Sequence, residues 1–201
     1  MKRLTLSVLM VFATATLAAE RADETTIPDQ LRDGGSFERV IVTSYEPLQL
    51  ADLVGQADLI MEGSTPGGRS FLARGGTDVY TDFPFEVRTI IKNSSHPELR
   101  IGQFVMVRRA SGTVIIGGRE AVTQENDFPL FERSEHYVLF LTRQRDESAY
   151  AVVGGPQGAF SLREGAKQLS VELGDWSKKH GALAPPAFFD EVRALLKFSS
   201  S

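Results

Sequence analysis

Three histidines, His96, His136 and His180, are the first residues to test for acid–base or metal chemistry. They stand 40 and 44 residues apart, and none has a second His or a Cys at the spacing of a metal-ligand pair. No metal or other cofactor is therefore expected. Only His136, between Glu135 and Tyr137 at the start of an apolar strand pattern, is placed where it could contribute to a site at a sheet rim. His96 precedes Pro97 in a turn, and His180 follows two lysines in a polar loop. Asp78, Asp82 and Glu86 fall at even spacing, so a strand would set all three on one face. Paired carboxylates could hydrolyse glycosides, but the solvated face of an amphipathic strand satisfies the same pattern. Gly63-Ser64-Thr65-Pro66-Gly67 approaches a nucleophile elbow but carries Thr at the centre. Pro66 cannot supply the backbone N–H that an oxyanion hole takes from the residue after the nucleophile, so a turn is the reading. No Gly-Lys pair exists for a phosphate loop, and no two glycines stand at i and i+2 for a dinucleotide fingerprint. Arg88, Lys92, Arg100, Arg108 and Arg109 are close in sequence, but in a mildly acidic chain charge pairing accounts for them.

Two glycine-rich stretches carry aromatic residues and point to binding. Gly67 to Gly76 holds Phe71 between two Gly-Gly pairs, and Ser111 to Ser134 runs through Gly117-Gly118 to Phe128 and Phe131. Long loops are often functional, and exposed aromatics on them suit a partner. Phe128 and Phe131 could equally plug one end of a barrel. Phe71, Phe128, Phe131 and His136 are the binding candidates; no catalytic residue is assigned.

Positioning these residues falls to the rest of the chain. Residues 1–19 read as a secretory signal peptide: Lys2 and Arg3, then Leu4 to Leu17, then Ala18 and Ala19. Its apolar run is short of the roughly 20 residues that cross a bilayer, so no membrane insertion is expected after cleavage. Losing Lys2 and Arg3 leaves 20 basic against 26 acidic residues, a net charge of −6. That balance argues against nucleic acid as a partner, since phosphate-backbone binding needs a clustered positive field. A secreted chain with no cysteine has no disulfide framework, which favours a bacterial periplasmic or secreted location.

Residues 20–36 are polar and expected to form a flexible leader, with one domain over 37–198. Strands are expected at 37–43, 58–63, 79–92, 99–109, 113–116, 137–142, 150–153, 159–162 and 167–172. The 137–142 strand is apolar on both faces and should be central, covered on both sides. Pro84, which lacks an N–H, implies an edge or a bulge in the long 79–92 strand. A short helix is expected near 47–54 and a C-terminal helix near 187–197, with Phe188, Phe189, Val192, Leu195 and Leu196 on one face. The fold class is mainly β, a five-stranded Greek-key barrel of the oligomer-binding (OB) type with extra short strands; a sandwich shares the same pattern.

Ala57 to Gly63, the strand from Tyr80 to Ile90-Ile91-Lys92, and Phe131 to Leu141 carry a resemblance to bacterial exported proteins with an OB-type barrel. More distantly, the pattern resembles netrin-type modules and tissue inhibitors of metalloproteinases. The likeness spans Leu48 to Leu162. Those inhibitors chelate the protease zinc through an N-terminal Cys, which this chain lacks, so the resemblance implies a barrel and no inhibitory residue. Together these readings imply a non-enzymatic exported module that engages a protein partner. The alternatives are a secreted hydrolase using carboxylates, with Asp78, Asp82 or Glu86 and with His136, and a barrel whose mouth takes a small molecule or glycan.

Overall fold

The computed structural model describes residues 26–32, 34–94, 98–144, 148–162 and 185–198. The signal segment, His96, His180 and the strand expected at 167–172 lie outside the described residues.

Five strands form a closed barrel: β2 (Leu59–Ser64), β4 (Val79–Asn93), β5 (Phe104–Arg109), β8 (His136–Arg143) and β9 (Tyr150–Val152). Around the ring the order is β8-β2-β4-β5-β9, and β9 pairs with β8 to close it. All neighbours are antiparallel except β5 and β9, which run parallel. The chain thus passes β2, β4 and β5 in turn and returns to lay β8 beside β2, a Greek key. The five-stranded barrel expected from the sequence is present, and the sandwich alternative is not. Closure leaves no free edge in the ring, and the second edges of β4 and β8 are shared by short strands. β10 (Ala159–Ser161) pairs with Tyr137–Leu139 of β8, and β9 takes Leu141–Arg143. On β4, β3 (Arg69–Leu72) pairs with Val79–Asp82, whereas β2 pairs with Glu86–Asn93. Pro84 falls in the gap between them, where no ladder needs the N–H it lacks. Gly63 sits at a register shift between β2 and β4. A Cβ there would stand 2.6 Å from the Glu86 carbonyl oxygen, so the close approach requires glycine.

β8 is apolar on both faces, and both are covered. Tyr137, Leu139 and Leu141 point into the barrel with Leu59, Met61, Phe83, Phe85, Val105 and Val107. Val138 and Phe140 point out, under two helices, α2 (Leu50–Gln56) and α3 (Pro185–Phe198). Phe188 and Val192 of α3 are fully buried against Phe140, Phe160, Leu53 and Val54. α2 begins at Leu50 rather than at Pro47, because Asp52 Oδ2 accepts the Gln49 N–H at 2.9 Å and caps the first turn there. Segment 46–48 is held instead by Gln157, whose amide donates to Glu46 O and accepts from Leu48 N.

A second, three-stranded sheet stands beside the barrel in the order β1-β7-β6: β1 (Phe37–Ile41), β6 (Gly112–Ile116) and β7 (Arg119–Glu125). β7 was not expected; β6 pairs with it as a hairpin through Gly117-Gly118, both at positive φ. Strand 99–109 correspondingly starts only at Phe104, after a turn at 101–102. Within the stretch expected as a leader, α1 (Ile27–Arg32) is helical, and its Ile27 and Leu31 are buried. Residues four apart share one face of a helix, and these two pack with Val79 and Ala121 beneath the small sheet.

Candidate functional site

Phe128 and Phe131 plug the barrel end rather than standing out from it, with 6% and 7% of their surface exposed. The Phe131 ring meets Phe83, Phe85 and Tyr137 edge-on, at centroid distances of 5.2, 5.0 and 5.0 Å. One buried cation holds this plug. Arg109, 3% exposed at the end of β5, donates to Phe128 O at 2.6 Å and Pro129 O at 3.1 Å and stacks over the Phe128 ring. Its charge is met by Glu125 at 3.0 Å, and Tyr45 donates its hydroxyl to the other oxygen of that carboxylate. Burial lowers the Arg109 pKa to about 10 against the opposing pull of Glu125. Burial likewise pushes the Tyr45 phenol up to about 12, helped by Glu125. Asp127 adopts positive φ to turn the loop, and Asn126 Nδ2 donates to its carboxylate at 2.8 Å.

Phe71 is half-buried on β3, beside Tyr80 on β4. Arg108 lies over both rings while its guanidinium grips Asp82 through two bonds of 2.7 and 2.9 Å. His136 faces Glu62 at 3.7 Å on the rim of β8, and Glu62 also accepts from Thr89. Tyr137 accepts from Glu132 N, donates to Glu135, and is pushed up to about 12, chiefly by burial. The structure does not bring Phe71, His136 and the two buried phenylalanines together into one surface.

The acidic residues do not form a catalytic pair. Asp82 is engaged by Arg108, and Asp78 by Arg39 at 2.9 Å. Asp82 and Glu86, four apart on one strand, stand about 13 Å from each other, beyond the roughly 5–9.5 Å of glycosidase pairs. The basic residues are dispersed as well: Arg109 is inside, Arg108 is on Asp82, and Lys92 donates to Val54 O. The Gly63–Gly67 segment ends β2 and turns, with Thr65 Oγ1 accepting the Gly67 N–H. Among the described residues, no group of three or more His, Asp or Glu could hold a metal ion, and no helix is long and apolar enough to cross a membrane.

Exposed apolar side chains stand at several places: Ile101, Phe104 and Phe198 are single exposed residues, and another set lies on the small sheet. The inner face of that sheet packs Ala121, Phe37, Val114 and Ile116 over α1. Alternation then turns Glu38 and Val40 of β1, Glu120, Val122 and Gln124 of β7, and Thr113 and Ile115 of β6 outward. Val40 is 54%, Ile115 76% and Val42, just past β1, 78% exposed. At the Val40 end, the 126–130 loop rises beside the sheet and leaves a cleft of 460 Å³, lined by Val40, Val122, Gln124, Asp127 and Leu130 among others. The loop that the Arg109 network anchors thus forms one wall of this cleft. Sequence reasoning identified β1 and β6 as strands but could not see that their outward residues share a face, because β7 between them was read as loop.

No protein-family model matches the chain, and no curated protein matches it.

Proposed function

We propose that the protein is an exported, non-enzymatic binding module that engages a protein partner, using the outer face of the small sheet and its cleft as the docking surface. The carrying observation is that Val40 and Leu130, both exposed, line a 460 Å³ cleft at one end of a sheet face that also exposes Ile115. Exposed apolar side chains rimming a cleft with polar residues are a common mark of an interaction site. The other readings find less support. The barrel interior is filled by Phe83, Phe85, Phe131 and Tyr137, which leaves its mouth to side chains rather than to a ligand. The carboxylates that a hydrolase would use are tied to Arg39 and Arg108 or stand too far apart. The signal-like N-terminus and the resemblance of the sequence to exported barrels support a partner in the bacterial envelope or outside the cell.

The test is affinity capture of envelope and culture-supernatant proteins on residues 20–201, read by mass spectrometry beside a Val40→Asp/Ile115→Asp variant. A stoichiometric partner retained by the first and released by the second, with an unchanged unfolding midpoint, supports the reading. A partner retained equally by both moves the docking surface elsewhere, and no retained partner removes the module reading.

A further inference from the structure

The cleft beside Val40 has a lining of two kinds. Val40, Val122 and Leu130 are apolar, whereas Gln124, Asn126 and Asp127 offer amide and carboxylate oxygens. Its 460 Å³ falls in the range of pockets that enclose a small ligand, and so gives room for one long side chain. Among the described residues no Lys or Arg lines it, and the charged residues that do, Glu125 and Asp127, are both acidic.

These two carboxylates differ in what already meets them. Glu125 is neutralised by buried Arg109 at 3.0 Å, and its other oxygen accepts the Tyr45 hydroxyl. Asp127 is exposed and accepts only the neutral Asn126 Nδ2, at 2.8 Å; among the described residues no cation pairs with it. Glu38, in register with the lining residue Val122, adds a further exposed carboxylate on the sheet side. An uncompensated negative charge therefore stands beside an apolar wall. Long basic side chains suit such a place, since they lay their methylene stems on apolar surface and keep the charged head in water.

We infer that the cleft receives one arginine side chain of the protein partner, its stem on Val40, Val122 and Leu130 and its guanidinium on Asp127. Arginine suits the site better than lysine, because its planar fork of five N–H donors serves the Asp127 carboxylate and the nearby Gln124 and Asn126 amide oxygens together. Arginine is also among the residues that most often anchor protein interfaces. The inference rests on the binding-module reading and names the anchor of its partner.

The probes are N-acetyl-arginine methylamide and its neutral isostere N-acetyl-citrulline methylamide, each titrated against residues 20–201 while amide NMR shifts map the contact. At low salt the arginine probe is expected to bind about threefold or more tightly, as an exposed ion pair allows, and high salt should erase that margin. Its shifts should concentrate at Val40, Val122 and the 124–130 segment. Asp127→Asn should abolish the preference and keep the fold, since Asn also tolerates the positive φ found there. Equal binding of the two probes, shifts centred away from the cleft, an unchanged preference in Asp127→Asn, or no binding would overturn the inference. Propylguanidinium, the same side chain without a peptide, binding more tightly than the arginine probe would overturn it in favour of a free small cation. Carbodiimide coupling of the free monomer that joins Asp127 to one of its own lysines would also overturn it, because the chain itself would then fill the cleft. If the arginine probe fails while a captured partner is still lost from the Val40→Asp/Ile115→Asp variant, this anchor falls and the module reading stands.

Discussion

β8 and β7 are both middle strands, and they are stabilised in different ways. β8 buries five consecutive residues, Tyr137 to Leu141, between the barrel interior and the α2–α3 layer. β7 buries only Ala121 and Thr123, and it shows Val122 and Gln124 to solvent or to the cleft. The barrel is therefore built from large apolar side chains on two sides. The small sheet depends on a smaller apolar set, Phe37, Val114 and Ile116 over Ile27 and Leu31 of a six-residue helix, and on the polar Arg109–Glu125–Tyr45 junction, which joins it to the barrel. A region that needs less apolar burial to stay folded can leave apolar residues outward for other purposes.

The largest effect should come from the two-sided strand. Phe140→Ala removes a fully buried ring packed against Phe160 and Phe188, and it should cost about 3–5 kcal/mol in urea unfolding. A loss below about 1 kcal/mol would mean that α3 contributes little to the barrel and would dissolve the contrast with β7. Arg109→Leu comes next, at about 3 kcal/mol, because it leaves Glu125 buried without its counter-charge and frees the Phe128 and Pro129 carbonyls. The double variant Arg109→Leu/Glu125→Leu should recover part of that loss. If it does not, the bonds to the plug matter more than the ion pair.

Alkaline pH probes the junction and the Tyr137 phenol beside the plug more gently. The folded-state pKa values of Tyr45 and Tyr137 are raised from 10.0 to about 12, so the folded protein holds these protons more tightly than the unfolded chain. The stabilisation they bring is complete below the unfolded value near 10 and is lost as pH rises through about 12. Arg109, lowered from 12.5 to about 10, works in the opposite sense between those values. Tyr137→Phe should therefore flatten the alkaline fall in stability, measured by urea unfolding at several pH values between about 10 and 12. A slope unchanged from that of the parent protein would mean that this phenol titrates alike in both states.

The contrast between the regions also explains what the sequence made legible. β8 was readable because Tyr137, Leu139 and Leu141 alternate with Val138 and Phe140, so no solvent face exists to assign. The long strand and the position of Pro84 followed from period-two alternation and a missing N–H. β7 was not readable, since Arg119-Glu120-Ala121-Val122-Thr123 places small or polar residues on its buried face and mimics a loop. α1 escaped notice because a single pair, Ile27 and Leu31, is too little periodicity to stand out from polar neighbours. The aromatic character of Phe128 and Phe131 was evident, but their direction depends on Arg109, whose partners lie 16 to 20 residues further along the chain. Pairings at that separation are set by register, which alternation alone does not reveal.

The smallest predicted effect tests the comparison from the other side. Val40→Ser and Ile115→Ser remove apolar groups that are 54% and 76% exposed and that belong to none of the three buried clusters. Each should change unfolding stability by no more than about 0.5 kcal/mol, as surface substitutions away from caps and cores do. Their effect should instead appear in partner retention, because the free chain gains nothing from these side chains and a docked segment would. A loss of about 2 kcal/mol or more from either variant would show a side chain that already packs against the protein itself. The small sheet would then be two-sided like β8, and the apolar face would have no claim to a partner.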